Sequence, residues 1–317
     1  MFTNLFSFFK KVKKRLFYIF FLNRKNKLFR KLSYHSVNQN PSFLRITSTP
    51  YISGDTFRAY ADHIFDETRS INPKKIKKGD TIFLKTELKE IFFSEFHIKI
   101  PNKYILISHN SDTCINKNDL NFIDQKIIHW FAMKLNVAMN KKISPLPSGL
   151  ENYRYLNNGI VRNFNKAYKV NNNIEKSNRI LCSFNVSTNK SEREPLMEIA
   201  KVSENIDIKN FSDNSEYLNN LSNYRYNLCP EGNNFESHRI WETLFFNNYP
   251  VVKNNSVNLN FVNLGVPLIM LNSWESLKTE NIYQTLNKNI PISESDPRQF
   301  VYFEFWKHLI ESKKNFI

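Results

Sequence analysis

The order of elements in this sequence predicts an α/β architecture of two nucleotide-fold (Rossmann-like) lobes facing each other across a cleft. Three observations predict it. Short aliphatic or β-branched runs alternate with stretches of helical spacing, the rhythm of a parallel sheet with crossover helices. Several runs end in polar clusters, as strands do where they open onto a ligand crevice. The rhythm breaks once, at ISPLPSGL (143–150) and the Asn-rich 151–178, so it falls into two halves. With 317 residues, 41% apolar and 15% aromatic, the chain is too apolar for disorder despite a net charge of +16. Cys114, Cys182 and Cys229 are too few and scattered for a disulfide framework or a thiolate metal site, and a reducing compartment is the simpler reading.

The charge is unevenly placed. Residues 1–40 hold ten basic side chains and no acidic one, so the rest of the chain, with 35 basic against 29 acidic residues, carries only +6. This extension interleaves Phe2, Phe6, Phe8 and Phe9 and the run LFYIFFL (16–22) with its lysines and arginines. The run is far shorter than the roughly 20 apolar residues of a membrane-spanning helix, and no small-residue cleavage site comes after it. Residues 1–31 fit a basic amphipathic helix on an anionic membrane surface, which predicts a cytoplasmic, peripherally attached protein. A tail whose aromatics pack on the protein body is the other reading. Nucleic acid is not expected as a partner, because no nucleic-acid fold signature accompanies the charge.

After the linker SYHSVNQNPS, the first lobe is expected over 45–150. TIFLKT (81–86), YILISHN (104–110) and KIIHWFA (126–132) read as strands, and ELKEIFFSEF between the first two as a helix. ISPLPSGL reads as a turn or a lobe boundary, and a helix is expected near 153–168. The second lobe spans 179–295. RILCSFN (179–185) is its first strand, succeeded by a Glu-rich helix after a Ser/Thr start signal. YRYNLCP (224–230), YPVV (249–252) and VPLIMLN (266–272) are further strands, with helices at 237–247 and in WESLKTENIYQTL. A closing helix occupies 296–317, near 297–314.

The chemistry concentrates in YNLCPEGNNFESHRIWETLFFNNYPVV (226–252). A buried strand ends at Cys229-Pro230, a polar loop holds Gly232, and a helix begins near Ser237. Free N–H groups and the helix dipole at such a terminus favour a phosphate. Arg239, in the first turn, suits a diphosphate, since a guanidinium binds phosphate oxygens bidentately. Glu242, three residues on and on the same face, suits ribose hydroxyls. The same spacing also describes a plain i,i+3 surface pair. Asn185 and Arg193 come after the first strand of this lobe and should border the cleft, Arg193 as a second positive charge or as a solvated helix-start residue.

This stretch resembles the donor-binding segment of the exostosin family of glycosyltransferases, in whose bacterial and viral relatives a string like CPEGN…HRxWE…PVV recurs. PYISGDTFRAYADHIFDE (50–67) and YILISHNSD (104–112) are similar to the acceptor lobe of the same relatives. The resemblance implies a two-lobed, GT-B-like fold. It implies that Arg239 and Glu242 contact the nucleotide diphosphate and ribose, and that Glu231, Gly232, Asn233 and His238 shape the sugar and phosphate pocket. The extension has no counterpart in that pattern.

The resemblance also implies transfer of a sugar from a nucleotide-sugar, used as co-substrate with no further cofactor, to a glycan or lipid-linked acceptor. The sequence contains no Asp-x-Asp, the carboxylate pair with which single-lobe enzymes hold a cation on the diphosphate. Metal-independent, inverting transfer is therefore expected, with the leaving group met by Arg, helix dipole and backbone donors. The general base would come from the first lobe, where His109 and Asp112 in HNSD stand just past a strand end. Asp55, Asp62 and Asp66 are weaker candidates, and His129 with Trp130 read as core. A fucosyltransferase-like enzyme and a catalytically silent nucleotide-sugar or glycan binder are the alternatives.

Overall fold

The computed structural model describes residues 45–171, 173–279, 282–288, 290 and 296–314. The basic extension and its expected contact with a membrane lie outside the described residues. Among the described residues, no helix is long and apolar enough to cross a membrane.

Two five-stranded parallel sheets form the fold. The first contains β1 (His63–Phe65), β2 (Thr81–Lys85), β3 (Tyr104–His109), β4 (Ile127–Met133) and β5 (Ile143–Leu146), paired in chain order. Its strands are apolar on both faces, the signature of a sheet covered on both sides. Ile82, Leu84, Leu106 and Trp130 pack beneath Phe92, Phe93 and Phe96 of the helical turns at 86–99. Phe83, Ile105, Ile107 and Phe131 face the other way, toward Phe57 of α1 (Gly54–Tyr60) and Trp306 and Ile310 of the last helix, α8 (Phe303–Lys314). His129 and Trp130 lie in the core, as their apolar surroundings predict. The His129 imidazole is held by Ser144 Oγ at 2.9 Å and Lys141 O at 3.2 Å.

The segment 143–146 corrects the sequence reading: it is a strand, not a turn. Proline removes a ladder donor and is tolerated at a sheet edge, and β5 with Pro145 is the edge strand. The helix expected at 153–168 is displaced to α2 (Val161–Asn171).

The second sheet contains β6 (Ser177–Cys182), β7 (Ile206–Ile208), β8 (Tyr224–Leu228), β9 (Tyr249–Lys253) and β10 (Ile269–Leu271), in the order β7-β6-β8-β9-β10. Strand order therefore reverses between β6 and β8, and the chain leaves their carboxyl ends toward opposite faces. That is the topological switch point at which open α/β sheets bind ligands. Its helices are α3 (Lys190–Val202), α4 (Asn214–Leu221), α5 (His238–Phe245), α6 (Ser256–Asn263) and α7 (Ile282–Lys288).

The halves meet through polar bridges as well as a shared apolar cluster. Asn260 on α6 donates to Leu135 O (3.0 Å) and Val137 O (2.8 Å) and accepts from Met139 N (2.9 Å). The α8 segment crosses back to the first half, where Phe303 N donates to Pro50 O (2.8 Å) and Tyr60 bonds Glu311.

Candidate functional site

A cleft of roughly 1640 Å³ runs between the carboxyl ends of the two sheets, lined from both halves. Its second-half wall is built by the loops after β6 and β8 and by the first turn of α5. Three anchors fix that helix. Asn227 on β8 donates to Thr243 Oγ1 (2.8 Å), and Thr243 donates to Arg239 O (2.7 Å). At the other end the Lys176 ammonium donates to the carbonyls of Phe246 (2.6 Å) and Asn247 (2.9 Å), where a cation complements the helix dipole. The N-terminus is left open. Side chains of Ser53, Asn189, Asp213 and Asn255 cap α1, α3, α4 and α6, whereas Ser237 makes no capping bond to α5 and its hydroxyl has no partner.

Arg239 projects from this first turn toward the end of β6, donating from Nη2 to Ser183 O at 3.1 Å, while its Nε is buried and unpartnered. Glu242 is buried beside it and accepts from Tyr217 Oη on α4 at 2.8 Å. Burial pushes the Glu242 carboxyl and the Tyr217 hydroxyl upward, and the Arg239 charge opposes both shifts. Arg239 and Glu242 are thus part of a three-residue cluster in the cleft wall, not an exposed helical pair.

Other expected residues have different duties. Arg193 is nearly inaccessible: Nε donates to Glu231 O (2.8 Å) and Nη1 to Asn185 O (2.7 Å), so it ties the loop after β6 to the loop after β8. Burial, with Arg239 second, lowers its pKa to about 10. The Asn185 side chain closes its own turn by accepting from Ser187 N (2.9 Å), and only its carbonyl serves the loop junction. Glu231 corrects the expectation of a pocket residue, because its carboxylate turns to Asn255 Nδ2 (2.9 Å) and does not line the cleft. Gly232 and Asn233 line it; Gly232 accepts from Asn189 Nδ2 at 3.0 Å and Asn233 is exposed.

His109 is the plainest correction. Its Nε2 bonds Pro147 O (2.9 Å), its Nδ1 accepts from Asn110 N (2.7 Å), and the ring is 2% exposed. With both nitrogens engaged and burial pushing its pKa down to about 4, it has no site for an acceptor proton. Asp112 stands at the rim with its side chain 73% exposed, paired to Lys134 Nζ at 2.6 Å. Asp55 is buried in the first half against Arg45 (3.2 Å) and Arg154 (2.8 Å). Asp66 is bound by Arg58 at 2.6 Å, and Asp62 accepts from Thr81 N at 2.8 Å.

Three cleft residues escape the sequence reading. Glu236 sits between the halves, its Oε1 accepting from Ser148 N and Oγ (2.8 Å each) and from Trp241 Nε1. Asn234 donates to Asp112 O (2.7 Å) across the cleft, near its rim. Tyr217 lies outside the informative stretch and carries no sequence signal. Glu236 and Asn234 lie inside that stretch, and the signal there was density of polar residues without a way to assign sides.

Among the described residues, no three His, Cys, Asp or Glu side chains gather as a metal site would require. No family model matches the chain, and no curated protein matches its sequence. Two solved structures show a distant likeness. The pneumococcal O-GlcNAc transferase GtfA in complex with UDP and GlcNAc is 11% identical, with 75% of this chain and 57% of that one covered at a TM-score of 0.35. The GtfA/B complex is 13% identical, with 76% and 58% covered at a TM-score of 0.32. This chain thus spans under three fifths of either.

Proposed function

We propose that this protein is a glycosyltransferase that takes a sugar from a nucleotide-sugar bound at the switch point of the second sheet. The observation that carries this reading is the open first turn of α5 with Arg239 beside it, at the mouth of the crevice between β6 and β8. Backbone N–H groups, the positive end of the helix and a guanidinium converge there, the combination that stabilises a departing diphosphate without reorganisation. The cluster of Glu242 and Tyr217 lies next to it, where ribose hydroxyls would find acceptors. The density of matches to the exostosin pattern over 226–252 supports the same assignment.

On this reading the acceptor, a glycan or a lipid-linked sugar, enters against the first-half wall around Asn110, Ser148 and Asn152. Transfer is inverting, and the charge released on the diphosphate is met by Arg239 and the helix terminus and not by a metal ion. The expected extension contact with an anionic membrane would bring such an acceptor close.

Nucleoside diphosphates test the donor site. UDP or GDP should raise the melting temperature, and Arg239→Gln should weaken binding about 30-fold or more, the cost of removing one partner of a buried charge contact. No shift with any nucleoside diphosphate would defeat the assignment. Binding without release of diphosphate from any nucleotide-sugar would favour a silent binder.

A further inference from the structure

Resting on that reading, we propose that His238 is the catalytic base, taking the proton of the acceptor hydroxyl on Nε2. The proposal stands on geometry. His238 opens α5, and its Nδ1 lies 2.6 Å from the carbonyl oxygen of Gly149, across in the first half. A carbonyl only accepts, so Nδ1 carries the hydrogen and Nε2 is left as the basic nitrogen. The ring is exposed to the cleft, and no bond to Nε2 occurs among the described residues.

The Gly149 carbonyl is itself held in place. Gly149 has φ +67°, a left-handed conformation, and a Cβ there would meet Ile52 O at 2.6 Å. Leu150 N, next in the chain, donates to Ile52 O at 2.9 Å. The orienting group is therefore backbone, which fixes the tautomer without adding a charge.

The other imidazole and several carboxylates of the cleft already have partners. His109 has both nitrogens engaged, Asp112 is paired to Lys134, and Glu242 accepts from Tyr217. Glu151 accepts from Asn158 N at 2.7 Å, Asp66 is bound by Arg58, and Glu236 holds three donors on one oxygen while the other is closed to solvent.

Adjacent residues on α5 then serve opposite walls. Arg239 reaches the second half at Ser183, and His238 reaches the first half at Gly149. In the reaction the acceptor oxygen attacks the anomeric carbon as its proton passes to Nε2. The bond from that carbon to the phosphate oxygen breaks, and its electron pair leaves on the diphosphate beside Arg239. The imidazolium formed is offset by the charge gained on the leaving group. Charged and titratable groups facing His238 are Glu242 and Arg239 on its own helix and His109 from the first half.

The test uses the whole protein and a panel of UDP- and GDP-sugars, with water or simple glycans as acceptor. The rate of diphosphate release should fall on the acid side as the imidazole takes a proton. His238→Gln should lower kcat about 10²- to 10⁴-fold, the range for loss of a general base, and abolish that acid limb. Affinity for the nucleoside diphosphate should stay within about threefold, and added imidazole should partly restore His238→Ala. Nitrogen-15 spectra of the imidazoles should give His238 the Nδ1–H tautomer. A retained acid limb in His238→Gln, an Nε2–H tautomer, or donor binding with no turnover by the parent protein would each overturn the proposal. Failure of the parent protein to bind any nucleoside diphosphate would instead defeat the donor-site reading beneath it.

Discussion

The two sheets share length, parallel pairing and burial on both faces, yet they treat their strand ends differently. The first runs β1 to β5 in chain order, so no reversal opens a crevice, and the carboxylate at the end of β1 gathers several donors. Asp66 alone accepts from Arg58, from Thr68 N and Oγ1 and from Arg69 N. The second reverses between β6 and β8, and the groups at that point keep unused bonding capacity: Ser237 Oγ and Arg239 Nε are buried without partners. The difference in strand order, with a helix N-terminus open at the reversal, is what sets the second sheet apart.

If that contrast is right, acid should act mainly through the first sheet. His109 on β3 and His129 on β4 are held neutral by burial, each pushed down to about 4. As pH falls from about 6.5 to 4 the unfolded chain takes up protons that the fold refuses, costing roughly 3 kcal/mol per histidine. Asp55 works the other way, since burial raises it to about 6 and its protonation returns roughly 3 kcal/mol between pH 6 and 4. These three groups together leave a loss of roughly 3 kcal/mol, and His129→Gln should remove one histidine's share of it. Urea unfolding at pH 7 and pH 4 measures this; an unchanged acid loss in His129→Gln would break the contrast.

The junction between the halves gives the next effect. Asn260→Ala orphans two carbonyls and one N–H in a 2% exposed site and should cost about 2–4 kcal/mol in chemical denaturation. A loss below about 1 kcal/mol would mean that the apolar cluster alone joins the halves. Gly232→Ala sharpens the picture at the smallest scale. The added Cβ would come 3.3 Å from Arg193 Nη2, on a guanidinium that two carbonyls already hold. Stability should change by about 1 kcal/mol or less while affinity for a nucleoside diphosphate falls a few-fold. Equal effects on both would place Gly232 outside the loop junction that shapes the site.

Strands with aliphatic interiors were legible from the chain alone, as at 81–86, 104–110 and 224–230. The short β1 and β7 were not, because three residues carry no readable period. β5 was hidden by Pro145, a residue that argues against a strand anywhere but at an edge. The cleft-wall position of Arg239 and Glu242 was legible because a strand, a polar loop and a helix start succeed one another locally. The status of His109 was not, since Pro147 O closes its ring from 38 residues away. His238 shows the same limit in reverse, for its orienting partner Gly149 lies 89 residues upstream.

The return of α8 to the first half has a consequence for how the protein is made. The second sheet, 177–271, emerges from the ribosome as one uninterrupted stretch and can assemble as soon as it is out. The first sheet is synthesised earlier, but the face of Phe83 and Phe131 is only partly covered, by Phe57 of α1, until Trp306 and Ile310 arrive. Trp306 then stacks edge-on against Trp241 and Phe261, which belong to the second half. The part of the molecule translated first is thus finished last, and the residue that finishes it also touches the helix carrying Arg239.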